Sequence, residues 1–207
     1  MLSLVRWLFD ASVHAHLLRS CALALALFAP VAAPANSSGP TTVDAAHLQL
    51  PGSRLLGQAT LTYFGLRIYH ARLWTLPGFN PHKTGDQPLV LELEYFRSIP
   101  GKSIAERSLQ EMRRAGELSP ELGQRWLADM QRLFPNVKPG DRITGQHVPA
   151  QGARFWHNGS PIGQVDDELF SQRFFGIWLA PSTSEADLRL QLLGLDRTAP
   201  RGFASTP

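Results

Sequence analysis

The stretch Leu89-Val90-Leu91-Glu92-Leu93-Glu94-Tyr95-Phe96 (LVLELEYF), followed by Arg97 to Met112 (RSIPGKSIAERSLQEM), carries a change of period that decides the fold. In the first part Leu89, Leu91, Leu93 and Tyr95 fall on one side of an extended chain, and Glu92 and Glu94 on the other. That alternation belongs to a half-buried antiparallel strand, with the two glutamates expected on the solvent face. In the second part Ile104, Ser108, Leu109 and Met112 recur at helical spacing. Ser103 with Glu106 three residues later has the form of a capping box, so the sequence predicts a helix opening at Ser103. Gly116 supplies its stop.

Upstream of this switch the chain reads as strands. Arg54 to Phe64 and Leu66 to Leu76 are rich in β-formers and meet at Gly65, which predicts a hairpin. Pro77 to Pro88 (PGFNPHKTGDQP) is a loop by composition. Downstream, Ser119-Pro120-Glu121 opens a second helix with proline at its first position, and Leu122, Trp126, Met130 and Leu133 form its stripe. Strands return at Asp141 to Val148, Ala153 to His157 and Ser160 to Val165, with Asn158-Gly159 as a hairpin turn. Asp166 and Asp167 open a third helix, whose apolar face is Phe170, Phe174, Ile177 and Trp178. A last helix runs from near Ser184 to Gly194. Strands and helices in blocks predict an α+β domain: an antiparallel sheet with helices packed on one face.

The ends have their own composition. Arg6 and Arg19 precede the apolar run Ser20 to Pro30 (SCALALALFAP), and Ala33-Pro34-Ala35 has the form a signal peptidase reads. The run is shorter than the roughly 20 apolar residues a membrane-spanning helix needs. The sequence therefore predicts export to the periplasm or beyond, with cleavage at Ala35/Asn36, and no integral membrane segment afterwards. The expected organisation is a signal peptide over 1–35, a flexible mature N-terminus over 36–50, a folded domain over 51–195 and a disordered tail over 196–207. Cleavage would leave 172 of the 207 residues and remove Cys21, the only cysteine, so neither a disulfide nor thiol chemistry is expected. With Arg6, Arg19 and Asp10 removed, 18 basic residues face 16 acidic ones, interspersed along the chain. That balance supplies no footprint for nucleic acid.

Familiar catalytic patterns are missing. His47, His70, His82, His147 and His157 have no metal-ligand spacing, and no glycine-rich phosphate loop or GxSxG elbow occurs. No cofactor or metal is expected.

Four segments, taken in order, resemble the bacterial chalcone isomerase-like family. They are GLRIYHARLW (Gly65 to Trp74), EYFRSIPGKSIAERS (Glu94 to Ser108), KPGDRITGQHVP (Lys138 to Pro149) and FFGIWLAPSTSEADLRLQLLG (Phe174 to Gly194). The resemblance implies a chalcone isomerase-like open-faced β-sandwich with a cleft between sheet and helices. Plant enzymes of this fold close a chalcone ring with an arginine on the first strand, a threonine on the second, a tyrosine and an asparagine on the first helix, and a hydroxyl on the last. Carried over by position, these fall around Gln58 to Thr60, near Tyr69, on Ile104, on Glu111, and near Thr183 or Ser184. Only the last keeps a matching hydroxyl, which argues against chalcone cyclisation.

Relatives that do no chemistry hold fatty acids in the cleft by an arginine and a tyrosine. The resemblance thus implies an exported, non-catalytic protein that binds a small apolar or acyl ligand. Its candidate contacts are Tyr69, Arg67, Ile104, Glu111 and Thr183. Strand alternation puts Arg67, Tyr69 and Ala71 on one face, and His70 and Arg72 on the other. Trp74, Trp126, Phe134, Phe174, Phe175 and Trp178 are candidates to line the cleft. Two alternatives stand beside this reading. One is an isomerase or intramolecular lyase with a rearranged site. The other is an envelope interaction scaffold.

Overall fold

A computed structural model of the protein describes residues 49–196. The predicted leader, its cleavage site, most of the 36–50 segment and the tail beyond Asp196 lie outside the described residues. Six strands run β1 (Arg54–Tyr63), β2 (Leu66–Thr75), β3 (Leu89–Tyr95), β4 (Arg142–Val148), β5 (Gly152–His157) and β6 (Ser160–Val165). Among the described residues four α-helices, α1 (Gly101–Met112), α2 (Pro120–Leu133), α3 (Glu168–Leu179) and α4 (Ala186–Leu192), complete the α+β domain.

The sheet is a plain antiparallel meander in the order β1-β2-β3-β4-β5-β6, so every strand pairs with its neighbour in sequence. The type of every predicted element is observed, and most boundaries fall within a residue or two of the expected ones. One face of the sheet carries Ala71, Leu73, Leu91, Leu93, Ile143 and Phe155, all buried. The helices cover this face, and their apolar stripes complete a single large core. Trp126, Phe155 and Phe170 are its largest fully buried side chains. At the sheet edge α4 comes so close to β1 that a Cβ on Gly57 would sit 2.3 Å from the Gln191 carbonyl oxygen. Only glycine fits there.

The caps hold one surprise. Ser119 Oγ accepts from Leu122 N at 3.2 Å and Asp167 Oδ1 from Phe170 N at 3.0 Å, so α2 and α3 open as the sequence predicts. The capping box at Ser103 does not form. α1 begins two residues earlier, at Gly101, whose N–H donates instead to Asn136 Oδ1 at 2.9 Å. The distant asparagine reaches the helix start because Ile99 bridges to Val137 there.

The other face of the sheet departs further from expectation. Glu92 does point away from the helices, yet it is only 1 % exposed. Register places Arg72 and Thr144 on either side of it, and His70 and Arg142 on either side of Glu94. Arg72 donates to Glu92 at 3.1 Å and to Glu94 at 3.0 Å, while Arg142 donates to Glu94 at 3.0 Å and lies 3.8 Å from Glu92. A four-residue ion network therefore replaces the expected solvated carboxylates. Beside it Leu50 packs on Trp74 and Val90, and Gln146 donates to the Gln49 carbonyl at 2.7 Å, fixing the chain just before β1.

Candidate functional site

Between the sheet and the helices lies a cavity of about 120 Å³. Leu61, Ile68, Leu93 and Ile143 form its floor on β1 to β4, and Phe174, Ile177 and Trp178 of α3 form one wall. Ile99, Ile104 and Phe134 close the apolar lining. An engineered apolar cavity of about 150 Å³ holds benzene, so this space is of the size of a ring or a short acyl segment. Its polar groups are few and grouped. Ser103, Arg107, Ser108 and Glu111 all lie on α1, and the sheet adds the hydroxyls of Tyr69 and Tyr95.

Their placement follows from local structure. On β2 the pairing steps from Leu61–Tyr69 to Thr62–Arg67, which leaves Ile68 as an extra residue. Such a bulge turns two successive side chains to one side. Ile68 and Tyr69 both line the cavity in consequence. Tyr95 sits opposite Tyr69 in the register, with ring centroids 6.1 Å apart in an edge contact. The Trp178 indole N–H donates to Tyr69 Oη at 2.9 Å, which orients the phenol and leaves its own proton to be donated elsewhere. Burial pushes both phenols above their ordinary values, so each remains a neutral hydroxyl.

On α1, residues 104, 107, 108 and 111 repeat at helical spacing and face the sheet. Arg107 and Glu111, one turn apart, form a close ion pair. Ser184 Oγ donates to Glu111 Oε2 at 2.9 Å, and Arg114 lies 3.6 Å from the same oxygen. Glu111 is buried, and Arg107 is mostly so. Burial weakens the hold of Arg107 on its proton, against the pull of Glu111. Glu185 stands beside this group; burial, and then the charge of Glu111, raise its carboxyl.

The candidate residues therefore separate. Tyr69, Ile104 and Glu111 meet in the cavity. Arg67 does not join them. The bulge at Ile68 reverses its direction, and its guanidinium stacks over the Phe96 ring, 4.3 Å from the centroid, on the exposed side. Arg72 belongs to the ion network on the far face of the sheet. Thr183 donates to the Ile177 carbonyl at 2.6 Å and accepts from Glu185 N at 3.2 Å, which fixes the link between α3 and α4. Its neighbour Ser184 is the one that reaches Glu111. Of the aromatic candidates Phe134, Phe174 and Trp178 line the space. Trp126 bonds to Asp167, Phe175 packs on His147 and Trp74 lies on the outer face. Arg107 is the cavity's arginine, and its signal was a charged residue inside an apolar helical stripe.

Among the described residues no cluster of His, Cys, Asp or Glu has the form of a metal site, and no helix is long and apolar enough to cross a membrane.

Comparison with known proteins agrees with this architecture. A crystal structure of an Arabidopsis thaliana fatty-acid binding protein superposes with a TM-score of 0.53, covering 69% of this chain and 87% of that one, at 12% identity. An uncharacterized protein of Haemophilus influenzae is 32% identical over 139 residues, 67% of either chain. The model of the chalcone isomerase-like family matches residues 38–194, and the chain belongs to that family.

Proposed function

We propose that this protein is a non-catalytic binder of a small apolar or acyl ligand, held in the cavity between sheet and helices. The observation that carries this reading is the cavity itself. It is lined by aliphatic and aromatic side chains, and its polar groups come from one helix and two tyrosines. That is the form of a small-molecule site, with apolar walls for affinity and a few polar groups for orientation. The fatty-acid binding protein of the same fold is consistent with such use of the cleft. The cyclisation constellation is replaced at most of its positions, by Ile104 and Glu111 on α1 and by Tyr69 on β2.

Native mass spectrometry of protein purified from its own compartment, with organic extraction of what it carries, tests the reading. A stoichiometric acyl or aromatic molecule is the expected result. An empty protein that also ignores added fatty acids, their amides and esters, and chalcones would sink the idea.

We propose in addition that the protein works outside the cytoplasm, released by cleavage after Ala35. The leader-like run from Arg6 to Ala35 supports this. N-terminal sequencing of the cell-envelope fraction should begin at Asn36. A protein recovered from the cytoplasm with its first residues intact would refute it.

A further inference from the structure

From the charge balance at the polar end of the cavity we infer that the ligand's head is a neutral carbonyl, such as an amide or ester, rather than a carboxylate anion. The inference rests on the binding function proposed above and names the ligand class of the same site. Arg107 and Glu111 are the two charged residues of the lining, and they are paired with each other. Arg107 is thus already compensated by a carboxylate of the chain itself. A ligand carboxylate would have to share Arg107 with Glu111, a buried group fixed from its other side by Ser184, and with the Gln110 amide oxygen to which Arg107 also donates at 2.7 Å. Arg114, the remaining cation near Glu111, is 3.6 Å away and 44% exposed, a weaker substitute.

The surroundings make a second anion less welcome still. Glu185 already lies close enough to Glu111 for its carboxyl to be raised by that charge as well as by burial. Like charges brought together in a poorly hydrated space oppose each other strongly.

What the cavity does offer is neutral donors. Tyr69 accepts from Trp178 and keeps its own proton to give. Tyr95 and Ser108 place hydroxyls in the same lining, and burial keeps both phenols protonated. A carbonyl oxygen needs such donors and brings no charge that must be desolvated.

Matched ligands test this: octanoate, octanamide and methyl octanoate, each titrated calorimetrically into the purified protein at pH 8, where the acid is ionised. The amide and ester should bind about tenfold or more tighter than octanoate, the scale of a modest like-charge penalty. In Glu111→Gln the pairing charge is gone while the shape stays, and octanoate should become the tightest of the three. Octanoate binding as well as the amide and ester, or better, in the unaltered protein would overturn the inference and leave the binding function standing. Binding of none of the three would remove both. The unaltered protein decides the matter alone if the variant fails to fold.

Discussion

Trp178 on α3 donates its indole N–H to the phenol oxygen of Tyr69 on β2 across 2.9 Å. This bond joins the helical layer to the sheet at the wall of the cavity. Tyr69→Phe keeps the ring and removes the acceptor, so a largely buried N–H loses its partner. The expected cost is about 1–3 kcal/mol of stability. Urea unfolding should show it as a lowered midpoint with an unchanged slope. Replacing Trp178 by Phe in the same background removes the stranded donor, so the double variant should cost less than the two single changes added together.

Ile104 offers a test of the cavity that leaves the hydrogen bonds alone. It is half-buried on α1 and lines the space directly. Ile104→Trp puts an indole where a ligand would lie, and its exposed edge gives the larger ring room. The fold should persist, with a thermal midpoint within a few degrees of the parent. Ligand affinity should fall about tenfold or more, since the volume that buries the chain is gone. Unchanged affinity would place the ligand elsewhere.

His147 predicts a pH dependence. It is buried on β4, and its Nε2 lies 2.9 Å from the Gly85 carbonyl oxygen, which can only accept. Nε2 therefore carries the proton, and Nδ1 accepts from Ser171 Oγ at 2.6 Å. Burial holds the imidazole below its ordinary value, against the Gly85 carbonyl, Glu168 and Asp86. The native state thus refuses a proton that the unfolded chain takes up near pH 6.5. Stability from this residue is complete above that pH and is lost as pH falls towards the native value, by up to about 1.4 kcal/mol per unit. Denaturation between pH 8 and 5 should show the fall in the parent and a shallower one in His147→Gln. Equal slopes would assign the loss to other groups.

How much of this was legible in the chain follows from the range of each interaction. Strands and helices show themselves by period, and the meander needs only neighbours in sequence to pair. Leu89 to Phe96 gave the right strand and the right two faces. Outward, however, did not mean exposed for Glu92, because Arg72 and Arg142 come from strands whose register no local pattern specifies. Arg67 was misdirected by a bulge that alternation cannot register. Ser103 made a plausible local cap, but Asn136 provided one from 35 residues away. Arg107 was missed: in the sequence it is one charge among apolar helical positions, and its place in the cavity beside Glu111 depends on how that helix lies against the sheet.

The ion network on the outer face yields the last prediction, which separates buried from exposed charge. Glu92 is 1 % exposed, and Arg72 and Arg142 reach it at 3.1 and 3.8 Å. Burial raises its carboxyl and the two guanidinium groups oppose that rise. Glu94 is 23% exposed and accepts from the same two arginines at 3.0 Å. By geometry alone Glu94 has the better contacts, so counting bonds would rank it first. Desolvation reverses the order. Removing Glu92 leaves the two arginines with Glu94 alone in a space water reaches poorly, a loss of about 1.5–3 kcal/mol. Water replaces much of what Glu94 supplied, and its removal should cost about 1 kcal/mol. Urea unfolding of Glu92→Ala and Glu94→Ala measures both. The Glu94 effect should shrink further in high salt, which screens its exposed side, while the Glu92 effect should stay nearly constant. A larger loss at Glu94 would mean that contact geometry, not burial, sets the worth of this network.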